Sequence, residues 1–309
     1  MIIRQQAFAN TGNSMLKGGL HCHTTRSDGK IPPDETIRIY AEHGYDFLAL
    51  TDHRRYNFEN YAPETGLLII PGMEMDYNMP EHGGECRHCF HEVVIGPAEG
   101  NGFVQEQRFD RPDVKDQFEL QPYLDELHRN NNLTIYCHPG WSTTTAREFE
   151  NLKGNIAMEV WNTHCAKFHD CDKDAMYWDE LLRQGIRIWG VATDDTHTYE
   201  GVCEGWVMVN AEKNVDSVLE ALKNGAFYAS CGPEIHDFRV ENGKAVIECS
   251  PAAMIRFHYG YSPNVVVKAG EQSLTRAETV VPDYYTYIRA SITDEEGRMA
   301  WTNPIYFMD

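Results

Sequence analysis

Helix-forming and strand-forming patterns alternate along the first two thirds of this 309-residue chain, and only strand patterns follow the pair Gly232-Pro233. Such alternation is typical of a parallel sheet or barrel rather than of a β-sandwich. A stretch of strands without helices is typical of an all-β unit. The sequence therefore predicts an α/β domain over residues 1–231 and a small all-β domain over residues 232–309.

Local signals place the elements of the α/β region. A helix is predicted over residues 34–43, because the segment follows Pro32-Pro33 and stops at Gly44. Further helices are predicted around residues 123–127, 175–182 and 214–225, and strands over 16–20, 47–50, 67–70, 93–95, 133–136, 156–161 and 186–192. Beyond Gly232 we expect strands over 238–249, with Asn242-Gly243 as a hairpin turn, and over 255–261, 284–292 and 300–307.

Charge and composition exclude several classes of protein. The chain carries 47 acidic and 27 basic residues, a formal charge of −20. This charge disfavours nonspecific binding to nucleic acid or to an anionic membrane. With no long apolar run and nine scattered cysteines, we expect a cytoplasmic protein with mostly reduced thiols, without a membrane or nucleic-acid partner.

Potential metal ligands follow the predicted strands. In a barrel of parallel strands the carboxyl ends converge on one mouth, where such enzymes keep their active sites. Side chains that are distant in sequence would therefore form a single site. The candidate metal ligands at these positions are His21, His23, Asp28, His53, Glu74, His138, Asp195 and His197.

The residue types suit a divalent metal ion. Imidazole and carboxylate groups bind zinc, manganese and iron, and the alternation of side chains along a strand directs His21 and His23 to the same side. A single Asp-His pair, such as Asp52-His53, is more often a loop or capping pair than a ligand pair. Five such occurrences at five strand ends are hard to explain by capping alone.

These residues lie in motifs that closely resemble the PHP (polymerase and histidinol phosphatase) superfamily. The matching segments are HCHTTRSDG from His21, LTDH ending at His53, PGMEMD around Glu74, CHPG around His138 and ATDDTH ending at His197. They occur in the order that the superfamily shows, over roughly residues 18–200. The resemblance implies a distorted (β/α)7 barrel with two or three divalent metal ions.

The resemblance also implies three ligand sets. His21, His23, Glu74 and Asp195 would hold one metal ion. Glu74, His91 and His138 would hold a second, and Asp28, His53 and His197 a third. His82 and His88 lie close to His91, which is chosen because it stands just before the strand Val93-Val94-Ile95.

Cys86-x-x-Cys89, interleaved with His88 and His91, has a separate interpretation as a small zinc site. No second cysteine pair stands at suitable spacing for four tetrahedral ligands. A loop rich in Gly83-Gly84 that covers the barrel mouth is the alternative.

The function expected from these motifs is metal-dependent hydrolysis of a phosphate ester. The substrate would be a small phosphorylated metabolite or nucleotide, attacked by a hydroxide that bridges the metal ions. The segments GAFYASCGPEI and AWTNPIYF also resemble a branch that includes carbaryl-hydrolase-like enzymes, which leaves a carboxylic ester, carbamate or amide as an alternative substrate. A noncatalytic PHP-like binding module is a further alternative.

Other residues are candidates for catalysis and substrate binding. Asp195 and His197 are the expected catalytic residues. Arg26 and Arg54, the latter followed by Arg55, are candidate contacts for an anionic substrate, and ordinary salt bridging is the equal alternative. Asn162 and His164 follow a predicted strand and are expected at the substrate rim, and Asp194 is a candidate for orienting a ligand imidazole.

Overall fold

Three sheets and six α-helices organise the part of the chain that the computed structural model describes, which is residues 5–6, 15–79, 88–171, 174–260, 265–281 and 285–307. The helices are α1 (Pro33–Glu42), α2 (Gln117–Arg129), α3 (Ala146–Phe149), α4 (Thr163–His169), α5 (Asp174–Arg183) and α6 (Val215–Lys223). The first eleven strands are β1 (Gln5–Gln6), β2 (Met15–Gly19), β3 (Phe47–Ala49), β4 (Leu68–Ile70), β5 (Gly72–Asn78), β6 (Cys89–Ile95), β7 (Leu133–Tyr136), β8 (Asn155–Asn162), β9 (Trp189–Thr193), β10 (Trp206–Asn210) and β11 (Phe227–Ser230). The remaining strands are β12 (Ile235–Glu241), β13 (Lys244–Ala252), β14 (Met254–His258), β15 (Val265–Lys268), β16 (Leu274–Val280), β17 (Tyr287–Thr293), β18 (Met299–Thr302) and β19 (Ile305–Tyr306).

The predicted mixture of helices and strands is confirmed, but the sheets are mixed rather than parallel throughout. Strands β2, β3 and β4 run parallel, and so do β7, β8 and β9. Strand β6 pairs antiparallel with both of its neighbours, β5 and β7. Strand β5 starts two residues after β4, across Pro71, so Glu74 lies inside a strand and not at the end of one.

Helix boundaries follow the local chemistry of the sequence. Helix α1 begins with Pro33, whose missing N–H costs nothing in the first turn. Helix α2 is capped by Asp116, which accepts hydrogen bonds from two backbone N–H groups, and α6 is capped by Asn214, which accepts one from the N–H of Ser217. Helices α2, α5 and α6 each bury an apolar face against a strand, which explains their periodic patterns.

The C-terminal part of the described chain is rich in strands, as predicted. Strands β12 and β13 form a hairpin around Asn242 and Gly243, both with positive φ, as a type I′ turn requires. One sheet has the order β1-β12-β13-β16. A second sheet continues from β15, β14, β17 and β18 through β11 and β10 to β2, β3 and β4.

One apolar core joins the inner faces of two sheets. Leu20, Phe47 and Ile70 from the sheet of β2 to β4 share a buried cluster with Ile135 and Val191 from β7 and β9. Because the strands on both sides contribute to the same core, their carboxyl ends lie near one another. No helix in the described part of the chain is long and apolar enough to cross a membrane.

Candidate metal centre

Eight of the nine predicted ligands are gathered around Glu74 and Asp195, and the ninth, Asp28, lies at their outer side. His21 and His23 follow β2, His53 follows β3, His138 follows β7, and Asp195 and His197 follow β9. Glu74 and His91 come from the antiparallel strands β5 and β6, where register pairs His91 with Asp76 and Glu74 with Val93. The residues of the site thus come from six neighbouring strands.

The inner part of the centre is built on two buried carboxylates. Nε2 of His21 lies 3.4 Å from Oε1 of Glu74 and 3.3 Å from Oδ1 of Asp195. Nε2 of His23 lies 3.1 Å from Oε2 of Glu74 and 3.1 Å from Oδ1 of Asp195. This arrangement brings together the first ligand set that the resemblance implies.

The second implied set also converges on Glu74. Nδ1 of His91 lies 2.8 Å from Oε1 of Glu74, and Nε2 of His138 lies 3.6 Å from the same oxygen. The rings of His91 and His138 have centroids 5.0 Å apart. Glu74 therefore faces both sets with its two oxygens.

The third implied set is more exposed. Nε2 of His53 and Nε2 of His197 lie 3.6 Å and 3.5 Å from Oδ2 of Asp28, whose side chain is 53% exposed. His23, Asp28, His53 and His197 each place one ligand atom within 4.8 Å of the others. His23 thus stands between the buried and the exposed parts of the cluster.

Hydrogen bonds on the outer side orient the imidazoles. Nδ1 of His21 donates to Oε1 of Glu159 at 2.7 Å, and Nδ1 of His197 donates to the backbone carbonyl of Asp195 at 2.8 Å. Nδ1 of His138 lies 3.1 Å from Oγ of Ser142. With Nδ1 engaged outward, the lone pair of each Nε2 is directed into the cluster, as in metal-ligating histidines.

Glu159 is a residue of this site that sequence reasoning missed. It is fully buried in β8 and accepts hydrogen bonds from His21, the backbone N–H of His138, Asn162 and Thr193. Its signal in the sequence is a single carboxylate in the apolar run Ile-Ala-Met-Glu-Val-Trp. A charge in a buried strand needs partners, so its position alone marks it as paired.

Two further aspartates shape the loops that carry the ligands. Asp52 accepts hydrogen bonds from the backbone N–H and hydroxyl of Thr24 and from the hydroxyl of Ser27. Asp194, expected to orient an imidazole, instead accepts from Tyr40 and from the backbone N–H groups of residues 203–205. Both carboxylates therefore act on the backbone around the centre.

The electrostatics of the cluster are strongly coupled. Burial lowers the pKa of His23, but the close carboxylates of Asp195 and Glu74 outweigh it and raise that pKa to about 10. Burial likewise raises the pKa of Glu74, and the neighbouring imidazoles His53, His21 and His91 outweigh it and bring it well below its usual range. The buried carboxylates thus require positive charge beside them.

Buried atoms without a hydrogen-bond partner indicate whether a metal ion fits the cluster. Oε2 of Glu74, Oδ1 of Asp195 and Nδ1 of His53 are buried without a hydrogen-bond partner, although charged groups lie near them. Nε2 of His21 and Nε2 of His23 are 3.1 Å apart, and each belongs to a ring that can offer a lone pair there. Two facing lone pairs repel, so either a proton or a metal ion lies between these nitrogens, and the imidazole and carboxylate donors fit divalent ions such as zinc, manganese or iron.

Three residues of the centre have unusual backbone conformations. The φ angles are 27° at His138, 51° at Asp195 and 53° at Arg54. These values lie in the left-handed region, which residues other than glycine rarely adopt. Hydrogen bonds hold these conformations, since the N–H of Asp195 donates to the carbonyl of His21 and that of Arg54 to the carbonyl of Glu74. Such strain concentrates at functional sites.

The histidines near β6 have different environments. His91 faces Glu74, whereas Nε2 of His88 lies 2.6 Å from Oε1 of Glu148, on α3. His82, Gly83-Gly84 and Cys86 lie outside the described residues. The proposed Cys86-x-x-Cys89 zinc site and the covering loop therefore stay predictions.

A small cavity of about 120 Å³ opens onto the cluster. Trp141 and His164 form part of its wall, and the ring of His164 lies 4.6 Å from that of His197. Asn162, expected at the substrate rim, is instead buried and donates to Glu159 and Asp195. Asn162 thus contacts the side chains that support the cluster.

A second cavity of about 340 Å³ adjoins the first and shares Asp28 and His53 with it. Arg26, Arg54, Arg55 and Arg108 line it, and we call it the arginine cavity. Arg26 and Arg54, predicted to contact an anion, therefore lie beside the cluster.

The fold and the cluster together define the class of the molecule, a mixed α/β protein with a histidine and carboxylate centre at adjoining strand ends. The chain belongs to the PHP domain family, whose family model matches residues 19–182. The family assignment made from the motifs is thereby confirmed. Divalent metal ions are the cofactors that this family implies.

The individual proteins that resemble this chain match only part of it or share few identical residues with it. A 5′-3′ exoribonuclease of Haemophilus influenzae is 40% identical over 72 residues, which span 22% of this chain and 26% of that enzyme. A two-domain protein from Bacteroides vulgatus that contains a predicted PHP-like metal-dependent phosphoesterase has a TM-score of 0.51 at 16% identity, over 96% of both chains. This match shows a shared fold along the whole chain.

An amidohydrolase from Chromobacterium violaceum, solved with bound sulfate and no metal, is 18% identical. It covers 60% of this chain and 89% of its own length with a TM-score of 0.41. That similarity is too weak to carry a conclusion.

Proposed function

We propose that this protein is a metal-dependent phosphoesterase that hydrolyses a phosphate ester of a small phosphorylated metabolite or nucleotide. The observation that carries the proposal is the set of buried, unpartnered oxygens of Glu74 and Asp195 among converging histidines. The adjoining arginine cavity supports an anionic substrate. Asp195 and His197 are the proposed catalytic residues, because both face the small cavity.

The proposed function gives each residue of the cluster a role. His21, His23, Glu74, His91, His138 and Asp195 would hold two divalent ions, and Asp28, His53 and His197 would hold a third. Bound divalent ions supply Lewis-acid activation of the phosphoryl group and of water. The carbonyl of Asp195 holds the proton on Nδ1 of His197, which keeps Nε2 free for the cavity. Trp141 and His164 would line the wall beside the bound substrate.

The predicted barrel also belongs to this proposal. Isolated bridges join Cys22 to Thr196 and His53 to Glu74, and they connect the segments after β2 and β3 with the segment after β9 and with β5. Together with the common apolar core, they support the closure of a distorted barrel. The division into residues 1–231 and 232–309 stays a prediction.

The test is phosphate release by protein that has been freed of metal and reloaded with zinc, manganese or iron(II). We expect turnover of phosphomonoesters that depends on the metal, and a loss of about a hundredfold or more in Asp195→Asn. Asp216→Asn, on the exposed side of α6, is the matched control and is expected to retain full activity.

The same assay is also run with three other substrates, which are a neutral aryl ester, an aryl carbamate and a single-stranded oligoribonucleotide. Hydrolysis of the neutral esters without release of phosphate would reject the phosphoesterase proposal and support the alternative substrates. Mononucleotide release from the oligoribonucleotide would extend the proposal to phosphodiesters, which the match to an exoribonuclease favours. Full binding of metal with no turnover of any substrate would support a binding module.

A further inference from the structure

The arginine cavity has more positive charge than its own carboxylates can neutralise. Arg26 and Arg55 both pair with a single carboxylate, Glu106. Arg54 pairs with Asp76 at 2.5 Å, and Arg111 reaches that same carboxylate at 3.6 Å. Two carboxylates are thus shared by four guanidinium groups. Asp28, the carboxylate among the cavity-lining residues, lies against His23, His53 and His197 instead.

Arg108 adds a further positive charge. Its side chain is exposed, lines the cavity, and pairs with no carboxylate among the described residues. The local excess of guanidinium groups stands in a chain whose formal charge is −20. Such a concentration of charge is unfavourable without an anion nearby, and it does not follow from the overall composition.

The hydrogen bonding in the cavity is also incomplete. Nε of Arg26 is buried without a hydrogen bond, whereas Nε of Arg55 and Oε2 of Glu106 lie 2.5 Å apart and form an ion pair. Guanidinium groups bind carboxylates and phosphates through parallel N–H donors. Nε of Arg26 and the exposed guanidinium group of Arg108 therefore leave hydrogen-bonding capacity for an anion.

Backbone contacts hold the cavity in shape. The segment that carries Arg108 pairs with the segment after His53, through a bridge between Arg55 and Arg108 and a hydrogen bond from the N–H of Phe109 to the carbonyl of Arg54. Nη1 of Arg55 donates to the carbonyl of Arg26 at 2.8 Å. The arginines therefore come from three segments tied to one another, and binding need not order a free loop.

The geometry points to a second anion-binding subsite, and we propose that the arginine cavity selects substrates with a non-reacting anionic group in addition to the phosphate ester. The reacting phosphoryl group would lie in the small cavity at the cluster, and the second anion among Arg26, Arg54, Arg55 and Arg108. The shared residues Asp28 and His53 place the two cavities next to each other, so one small molecule spans both. This inference rests on the proposed phosphoesterase function.

The test compares two matched substrates on the metal-loaded enzyme. One is 4-(phosphonomethyl)phenyl phosphate, whose phosphonate cannot be hydrolysed, and the other is 4-ethylphenyl phosphate, which has a similar shape without the second anion. We expect kcat/KM to be at least about tenfold higher for the phosphonate substrate. In Arg108→Ala this ratio should fall by about tenfold, and in Arg108→Lys it should fall less, because lysine keeps the charge but not the planar donor pair.

Arg129→Ala, on the exposed side of α2, is the control and should keep the wild-type ratio. A ratio near one in the wild type, or an equal loss on both substrates in Arg108→Ala, would overturn the inference. Binding of 1,4-bis(phosphonomethyl)benzene and 4-ethylbenzylphosphonate by calorimetry gives the same comparison without turnover. If no phosphate ester is hydrolysed but the bisphosphonate binds at least about tenfold more tightly through Arg108, the phosphoesterase proposal fails while the subsite stands.

Discussion

Glu159 shows how a single buried residue fixes the geometry of the candidate metal centre. Its two oxygens accept hydrogen bonds from His21, from the backbone of His138, from Asn162 and from Thr193. Burial raises its pKa, but the charge and hydrogen bond of His21 outweigh that effect and lower the pKa overall. Glu159 is a positioning residue, since it acts on the cluster through His21 and His138.

Replacing Glu159 by Gln is expected to weaken metal binding about tenfold to a hundredfold. The amide would present an N–H₂ group to donors that now face a carboxylate, so His21 would lose its fixed orientation. Metal affinity is measured by competition with a chelator, and circular dichroism confirms that the variant is folded.

Two further variants show how the loss of metal affinity depends on the hydrogen bonds of Glu159. Thr193→Val removes one hydrogen bond to Glu159 and leaves His21 in place, so its loss should be smaller. Glu126→Gln, exposed on α2, should have no effect. Unchanged metal affinity in Glu159→Gln would contradict the positioning role.

Helix α4 is the element that links secondary structure most directly to the centre. Its N-cap residue, Asn162, accepts from the N–H of Cys165 through its oxygen and donates to Glu159 and Asp195 through its nitrogen. One amide therefore caps the helix at the end of strand β8 and links two buried carboxylates by hydrogen bonds.

Two substitutions at Asn162 separate these roles. Asn162→Ala should cost about 1 kcal/mol through the lost cap, and more through the unpaired carboxylates. Asn162→Asp keeps the cap but adds a third negative charge beside Glu159 and Asp195. It should therefore destabilise the metal-free protein more than Asn162→Ala does, and metal should restore most of the difference. Urea unfolding with and without metal measures both effects, and equal losses in the two variants would contradict this account.

The elements also show what the sequence could and could not predict. Helix α1 was located within one residue at each end, because Pro33 and Gly44 mark its ends chemically. Strands β5 and β6 run antiparallel to their neighbours, and a short apolar run does not reveal the direction of pairing. Glu159 and the arginine cavity depend on contacts between segments far apart in the chain, which local patterns cannot show.

At the scale of the whole molecule, a buried charged group joins helix α5 to the C-terminal strands. Arg289 on β17 is 1% exposed, pairs with Asp179 on α5 at 2.6 Å and lies over the ring of Trp178. His258 on β14 lies 3.6 Å from the same carboxylate, and its Nε2 lies 2.9 Å from Oγ of Ser291. The PHP region and the β-rich region therefore share a set of ionisable side chains.

This contact predicts a pH dependence of stability. Burial, followed by the charge of Arg289, lowers the pKa of His258 from 6.5 to about 4, although Asp179 opposes the change. The unfolded chain therefore takes up a proton at higher pH than the folded protein does, and stability falls as the pH decreases from about 6.5 to about 4. Burial raises the pKa of Asp179, but Arg289 and His258 outweigh it, so that pKa is lowered and its stabilising contribution is lost only at lower pH.

His258→Gln keeps a hydrogen-bonding group for Ser291 and removes the titration. Its free energy of unfolding should fall less than that of the wild type between pH 6.5 and pH 4, by about 2–3 kcal/mol. Urea unfolding of the metal-free protein measures this difference, because the histidine cluster titrates equally in both proteins and cancels. His236→Gln, at an exposed position on β12, should follow the wild-type curve. Parallel curves for His258→Gln and the wild type would show that the contact between α5 and the C-terminal strands does not depend on a neutral His258.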